Sequence, residues 1–403
     1  MSIQISERIQ KLAPSATLEM AVKARELRAE GKDVIGLSVG EPDFNTPEFI
    51  KKAAIEAVEQ NYSSYTPVDG YLELKEAIIS KFERDNQIKY SPAQIVVSTG
   101  AKQSLYNIAQ VYLNDGDEVI LPCPYWVSYR EIVKLGGGVP VEVKTSLEND
   151  FKMTPEQLEA AITPKTKMLW YSSPCNPSGS IYSKEELRAL ADILVKYPQI
   201  IVVSDEIYEH INYGTTPHFS MAAFEDMYER TVTVNGVAKA FAMTGWRIGY
   251  IGAPTAIARA CNKLQGQVTS GANCIAQRAV ITALNAPISN IQYMLDMYKE
   301  RRSLILNLLN AIEGFKCNEP EGAFYVYPNI SHYFGKTIKG KTINNATDFS
   351  MFLLEEAHVA TVSGDAFGNG NCIRISYAAS SEQITEAISR IKTNLAVVEE
   401  ANS

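Results

Sequence analysis

The chain has few of the side chains that bind metals or form disulfide bridges. Its 403 residues include four histidines and six cysteines, all scattered, and no two cysteines form a Cys-x-x-Cys pair. This spacing argues against a zinc site and against a disulfide framework. We expect no bound metal.

Long apolar runs and an excess of positive charge are also missing. No segment approaches the roughly 20 apolar residues of a membrane-spanning helix, and the first 30 residues are charged and amphipathic, unlike a secretory signal. Lysine and arginine total 38 against 46 aspartates and glutamates. That balance argues against a general nucleic-acid or anionic-membrane surface. We expect a cytoplasmic, folded protein without either partner.

From Val34 onward, short β-rich apolar runs alternate with amphipathic helical stretches. This alternation is typical of a mostly parallel sheet that is covered by helices on both faces. The predicted fold class is therefore α/β, with a sheet of about seven strands sandwiched by helices. The predicted strands are 94–98, 118–122, 139–144, 166–172, 200–205, 231–235 and 247–253.

The pattern changes after residue 290, which predicts a second, smaller α+β domain. A long helical pattern covers 291–312, and then come three short strands at 323–328, 359–362 and 372–377 and a terminal helix from Ser381. We predict a large domain at 46–290 and a small domain at 291–403. Residues 1–45, a helix followed by a strand at 34–39, should pack on the small domain.

The central chemical feature is the segment 235–249, in which small residues end a strand, Lys239 follows, and Arg247 comes eight positions later. Small residues let a flat ring approach the backbone. A lysine that is partly desolvated beside other cations has a lowered pKa, which makes its amine a nucleophile able to form a Schiff base. The alternative is a solvated lysine, which is the common case for a lysine after a strand.

The chain contains a series of ordered motifs around Lys239: Val39-Gly-Glu-Pro-Asp-Phe44, Ser98-Thr-Gly-Ala-Lys102-Gln, Pro124-Tyr-Trp126, Ser173-Pro-Cys-Asn176-Pro-Ser-Gly179, Ser204-Asp205-Glu-Ile-Tyr208, Lys239 and Arg374. In this order they resemble the class I (fold-type I) pyridoxal-phosphate-dependent aminotransferases. The resemblance covers nearly the whole chain and is strongest to the thermophile-like subgroup of bacterial aspartate aminotransferases.

The resemblance implies that Lys239 binds pyridoxal 5'-phosphate covalently. Asp205 follows an apolar run and should lie at the carboxyl end of a buried strand, where open α/β sheets bind ligands. There its carboxylate can hold a proton on the pyridine nitrogen of the cofactor. The alternative for Asp205 is a helix N-cap.

A second group of residues is predicted to hold the cofactor phosphate. Gly100, Ala101 and Lys102 lie between a strand and a helix, so their backbone amides form an anion site at a helix N-terminus. Arg247 can add a bidentate contact. The resemblance also implies that Tyr65 reaches the phosphate from a second subunit, which would make the active unit a homodimer.

The cofactor ring has its own predicted partners. By resemblance, Asn176 and Tyr208 hydrogen-bond its phenolic oxygen, and Trp126 stacks on its face. Tyr125 is a rival for the stacking position, and Trp126 has the alternative of a core tryptophan.

Substrate contacts are predicted at Arg374, Gly40 and Lys102, together with Trp126 and Asn176. Arg374 lies between apolar neighbours on a strand, which is costly unless the guanidinium meets a carboxylate. We expect it to grip the substrate α-carboxylate; the alternative is a solvated edge-strand arginine. Gly40 resembles the family glycine that closes over the substrate. Lys102 is a candidate for the distal carboxylate, or a phosphate-side or solvent-facing lysine.

One departure from the family concerns the phosphate hydroxyl. Many members carry serine at the position of Asn235 or Gly236, and this chain does not. Ser98, Thr99 or a backbone amide remain as substitutes.

The predicted reaction is a ping-pong transfer from L-aspartate to 2-oxoglutarate, with Lys239, Asp205 and Tyr208 as catalytic residues. Amination of prephenate or of aromatic acids is an alternative, as is another reaction on the same fold, such as a carbon–sulfur β-lyase or an aminocyclopropane synthase. A regulatory protein that retains the domain is a further alternative. It is disfavoured because the lysine, the aspartate and both arginines are present.

Overall fold

The computed structural model describes residues 3–14, 16–396 and 398–399. Its helices are α1 (Glu7–Gln10), α2 (Ala16–Ala29), α3 (Glu48–Glu59), α4 (Leu72–Asn86), α5 (Ala101–Tyr112), α6 (Ser128–Leu135), α7 (Pro155–Ala161), α8 (Lys184–Leu194), α9 (Glu225–Tyr228), α10 (Thr255–Val268), α11 (Cys274–Asn285), α12 (Gln292–Asn310), α13 (Ala346–Glu356) and α14 (Ser381–Leu395). Within the described ranges, no helix combines the length and the apolar composition needed to cross a membrane.

The strands are β1 (Ile35–Gly36), β2 (Ile95–Ser98), β3 (Glu118–Cys123), β4 (Val139–Lys144), β5 (Thr166–Ser172), β6 (Ile201–Asp205), β7 (Thr231–Gly236), β8 (Gly249–Gly252), β9 (Tyr325–Val326), β10 (Thr337–Ile338), β11 (Lys341–Thr342), β12 (Val359–Ala360), β13 (Val362–Ser363), β14 (Ile373–Ser376) and β15 (Val398–Glu399).

The central sheet has seven strands in the order β2-β8-β7-β6-β5-β3-β4. All pairs are parallel except those of β8, which runs antiparallel to both β2 and β7. The prediction of an α/β fold with seven strands is confirmed, and the predicted strand bounds differ from the observed ones by at most two residues. Strands β6 and β7 are buried along their whole length, as expected for a sheet covered on both faces.

The N-terminal segment pairs with the C-terminal part of the chain. Strand β1 lies parallel to β12, with Ile35 opposite Val359, and α2 packs Met20 and Ala24 against Leu354. The strand predicted at 34–39 is shorter than expected. The division of the chain near residues 45 and 290 stays a prediction, because one apolar cluster runs from α4 through α12 to α14.

A buried polar cluster lies behind the carboxyl end of β6. Lys81 on α4 forms an ion pair with Glu209, and their side chains are only 1% and 6% exposed. Asn86 donates to Glu209 Oε2 at 2.8 Å, while Glu206 Oε2 contacts His218 Nε2 at 3.0 Å. Glu206 and Glu209 are the next neighbours in sequence of Asp205 and Tyr208, so this cluster fixes the segment that carries two predicted site residues.

We predict that Lys81→Met destabilises the fold by about 3–5 kcal/mol, because it leaves the Glu209 carboxylate buried without its cation. The free energy of unfolding in urea is the measurement. The matched control is Lys89→Met, which breaks the Lys89–Glu83 pair, whose side chains are 82% and 55% exposed and which should matter little. Equal losses in the two variants would contradict the role of the cluster.

Candidate active site

A cavity of about 320 Å³ opens at the carboxyl ends of β5, β6 and β7. This is the edge at which open parallel sheets bind ligands. Eleven of the twelve predicted site residues line it: Gly40, Gly100, Ala101, Lys102, Trp126, Asn176, Asp205, Tyr208, Lys239, Arg247 and Arg374.

Lys239 follows β7 and extends its amine into the cavity. The Nζ atom donates to the carbonyl oxygen of Gly40 at 2.6 Å. Burial and the nearby charge of Arg374 lower the pKa of Lys239 to about 8. A substantial fraction of the amine is therefore uncharged close to neutral pH, which is the form that attacks a carbonyl carbon.

Asp205 is the last residue of β6 and is buried. Burial raises the pKa of its carboxyl to about 6, although the Tyr129 hydroxyl, which donates to Oδ2 at 2.6 Å, lowers it in part. Oδ1 accepts the backbone N–H of Ile207 at 3.2 Å. The segment after β6 forms turns, so the alternative of a helix N-cap is wrong.

Arg374 on β14 is 1% exposed, yet it lines the cavity. Its Nη1 donates to Asn176 Oδ1 at 3.0 Å and its Nη2 to the Ser38 carbonyl at 2.5 Å. Within the described part of the chain, no carboxylate pairs with this guanidinium and its Nε has no partner. The alternative of a solvated edge-strand arginine is therefore wrong. A buried cation without a counter-ion is costly, so the site is prepared for an anion.

The far end of the cavity is formed by the start of α5 and by Arg247. Gly100 has a φ of +82°, and a Cβ there would collide with the Arg247 guanidinium. Glycine therefore permits both the turn and the close approach of the cation. Arg247 Nη1 is held by the Thr244 carbonyl at 2.9 Å.

The backbone amides at this end are not all available. The N–H of Gly100 donates to the Ser98 carbonyl at 2.8 Å, contrary to the expectation that it binds the anion. The first N–H groups of a helix lack intrahelical acceptors, which leaves those of Ala101 and Lys102 for a ligand.

The hydroxyl group best placed for a phosphate is not one of those predicted from the sequence. The Ser98 hydroxyl donates to Gln265 Oε1 at 2.7 Å and is buried outside the cavity. Thr99 is absent from the described lining of the cavity, whereas Thr244 lines it and hydrogen-bonds Glu41. Thr244 is therefore the better placed hydroxyl.

Lys102 and Trp126 form one wall. The Lys102 Nζ lies 4.8 Å from the centre of the Trp126 ring, and burial together with the charge of Arg247 lowers the pKa of Lys102. Tyr125 lies outside the cavity lining and donates to Glu142 at 2.7 Å. Of the two rivals for the stacking position, Trp126 is therefore the one that faces the cavity.

Comparisons with known proteins agree with this geometry. Residues 32–391 match the family described as "Aminotransferase class I and II". The chain belongs to this family. It is 48% identical, over 96% of its length and 98% of the relative's, to an aspartate/prephenate aminotransferase of Cereibacter sphaeroides.

Solved structures of aminotransferases share the fold over almost the whole chain. The aspartate aminotransferase of Rhizobium meliloti superposes with a TM-score of 0.96 at 43% identity, covering 99% of this chain and all of that one. The Thermus thermophilus aspartate aminotransferase with maleate gives 0.90 at 42% identity, covering 97% and 100%. The predicted membership of the aminotransferase family is confirmed.

Two hydroxyl groups of this aminotransferase meet beside Lys239. Tyr208 and Tyr325 share a hydrogen bond of 2.7 Å, and the Arg374 guanidinium lies 4.6 Å from the Tyr325 ring centre. A Cβ at Gly40 would collide with the Tyr325 hydroxyl. Tyr325 therefore connects the lysine side of the cavity to the arginine side.

Tyr65 is the one predicted residue away from the cavity, and it is 98% exposed. Its contribution from a second subunit stays a prediction.

Several residues that line the cavity were not predicted from the sequence: Thr17, Leu18, Tyr129, Thr244 and Tyr325. Tyr129 follows Trp126 by three positions, a spacing of about one helical turn that could have drawn attention to it. Tyr325 lies on a predicted strand, but nothing in the sequence marks the direction of its hydroxyl.

Proposed function

We propose that this aminotransferase is a cytoplasmic, pyridoxal-phosphate-dependent enzyme that transfers the amino group of L-aspartate to 2-oxoglutarate. The products are oxaloacetate and L-glutamate, and the two half-reactions alternate in a ping-pong sequence. The observation that carries the proposal is the shared cavity of Lys239, a lysine of lowered pKa, and Arg374, a buried cation that meets no counter-ion among the residues that the structure describes.

The residues around the cavity suit pyridoxal phosphate. Lys239 offers the amine for covalent attachment, Asp205 a buried carboxylate for the ring nitrogen, and Trp126 a ring face for stacking. The start of α5 and Arg247 offer amides and a cation for the phosphate. When bound, the cofactor supplies the electron sink that stabilises a carbanion at the substrate α-carbon.

Lys239 also moves the proton at that carbon. Because its amine has a pKa of about 8, it can both accept and return a proton near neutral pH. Its position in the cavity next to Tyr208 and Gly40 keeps it within reach of a bound substrate.

Arg374 binds the α-carboxylate of the substrate. Asn176 and the Ser38 carbonyl fix the orientation of its guanidinium, so little side-chain entropy is lost on binding. Lys102, at the opposite wall, is the candidate for the distal carboxylate, because its amine is partly desolvated and has no carboxylate partner in the described part of the chain.

We predict that Lys239→Ala lowers turnover by at least about four orders of magnitude, because it removes the nucleophile. The parent protein should show a visible absorption band with pyridoxal phosphate that bleaches with L-aspartate and returns with 2-oxoglutarate. The variant should lack that lysine-bound band. Lys263→Ala, on the exposed face of α10, is the control and should behave like the parent. A band that does not change with aspartate but bleaches with another amino acid would refute aspartate as the substrate.

The role of Lys102 predicts a selective change in substrate binding. Lys102→Met should raise the KM for aspartate and 2-oxoglutarate by about 10- to 100-fold, the loss expected for a charge-assisted contact. The KM for an aromatic amino acid, which has no distal carboxylate, should change little. Equal losses for both substrates would place Lys102 at the phosphate instead. Because the relative from Cereibacter sphaeroides is described as acting on aspartate and prephenate, prephenate belongs in the same assay.

The proposed homodimer would bring Tyr65 to the phosphate of the neighbouring subunit. We predict that mixed dimers of Tyr65→Ala and Lys239→Ala chains recover activity, because one of their two sites then has both residues intact. The assay is activity after the two inactive proteins are dissociated and mixed. A mixture that stays inactive although hybrids form would show that Tyr65 does not act across the interface.

A further inference from the structure

Asp205 has a buried neighbour that the proposed reaction does not yet use. The hydroxyl of Tyr129 on α6 donates to Asp205 Oδ2 at 2.6 Å. The two residues are 1% and 4% exposed, so this hydrogen bond is made away from bulk water. A hydrogen bond to a charged group is stronger there than an exposed one.

The position of the Tyr129 hydroxyl is set by packing. The ring lies 4.9 Å from that of Trp170 on β5 and 5.7 Å from that of Trp126. Trp170 is fully buried, and Trp126 lines the cavity. The tyrosine is thereby held between the sheet and the wall on which the cofactor is proposed to stack.

The other ionisable groups around Asp205 act in opposite directions. Burial and the charge of Glu206, on its own segment, raise the pKa of Asp205, whereas Tyr129 and Lys239, the latter from the loop after β7, lower it. Tyr208, on the same segment, is a neutral phenol at physiological pH because burial raises its pKa. Burial and Asp205 also raise the pKa of Tyr129, so it remains a donor.

We propose that Tyr129 is a positioning residue that keeps the Asp205 carboxylate ionised and thereby keeps the proton on the pyridine nitrogen of bound pyridoxal phosphate. This inference rests on the proposed function. The Tyr129 hydrogen bond stabilises the charged carboxylate. Without it the carboxylate would be a stronger base, and the proton equilibrium would shift toward the state in which the N–H bond of the pyridinium is broken, an O–H bond is formed on Asp205, and a neutral ring faces a neutral acid.

The proton position also affects the chemistry. A protonated ring nitrogen withdraws electrons from the reacting carbon, and a neutral one does so weakly. Tyr129 would therefore control the electron sink through Asp205.

Tyr125 provides a matched control. It is a buried tyrosine that donates to a carboxylate, Glu142, at a similar distance of 2.7 Å, but outside the cavity. Tyr125→Phe and Tyr129→Phe thus remove the same kind of hydrogen bond and keep both rings. Only Tyr129→Phe should change the ionisation of Asp205.

The test is the nitrogen-15 NMR signal of ring-labelled pyridoxal phosphate in the holoenzyme. In the parent and in Tyr125→Phe the ring nitrogen should have the chemical shift of a protonated pyridine. In Tyr129→Phe the proton equilibrium should move toward Asp205 by about 10- to 100-fold, the value of one hydrogen bond to a charged group, and the signal should move toward the unprotonated position. An unchanged signal in Tyr129→Phe would overturn the proposal.

A second measurement, of the pKa of Asp205, does not require bound cofactor. The full-length chain labelled with carbon-13 at the aspartate carboxyls gives the pKa of Asp205, assigned by the signal that Asp205→Asn lacks. Tyr129→Phe should raise this pKa by about one to two units, and an unchanged value overturns the coupling. If the parent chain binds no pyridoxal phosphate, the proposed function fails, and the carbon signal still decides whether Tyr129 controls Asp205.

Discussion

Removal of three ionisable side chains from water at one edge of the central sheet is the constraint on which the site depends. Lys239, Asp205 and Arg374 share a single cavity. Burial raises the pKa of Asp205 and lowers the pKa of Lys239 and of Arg374, so it favours the neutral form of each side chain. In solution the lysine would be fully protonated and unreactive near neutral pH. Desolvation, together with the repulsion from Arg374, is what makes its amine available.

The fold creates this environment by bringing separate segments to one place. The parallel strands β5, β6 and β7 end at the same edge, where Ser172 lies opposite Asp205 and Asp205 opposite Val234. The antiparallel strand β8 then leads the chain past the start of α5, where a Cβ at Gly249 would overlap the backbone of Ala101. Such contacts need glycine and fix the distance between Arg247 and the helix N-terminus.

Sequence patterns were sufficient for the parts of the structure that depend on local order. Each of the seven strands of the central sheet is a short, β-rich, largely apolar run that the sequence alone marks, and the motifs around Asp205, Lys239 and Arg374 are contiguous in the chain. The direction in which a side chain points is harder to predict from the sequence. The binding of Ser98 to Gln265, 167 positions away in sequence, and the orientation of Tyr129 depend on packing between distant segments, which no local pattern records.

The buried site also has a cost in stability, and this cost depends on pH. The folded pKa of Asp205 is raised to about 6, so its ionisation opposes folding as the pH rises from about 4 to above 6. The pKa of Lys239 is lowered from 10.5 to about 8, so its protonation opposes folding progressively as the pH falls from about 10.5 to 8, and fully below that value. Glu209 acts in the other direction: burial alone would raise its pKa, but Lys81, His210 and His218 lower it to about 2, so it favours folding at neutral pH and loses this effect as acid protonates it. Asp205, whose buried carboxylate costs stability, and Glu209, whose pairing with Lys81 contributes stability, lie on the same segment after β6, so the cluster offsets part of the cost of the Asp205 carboxylate locally.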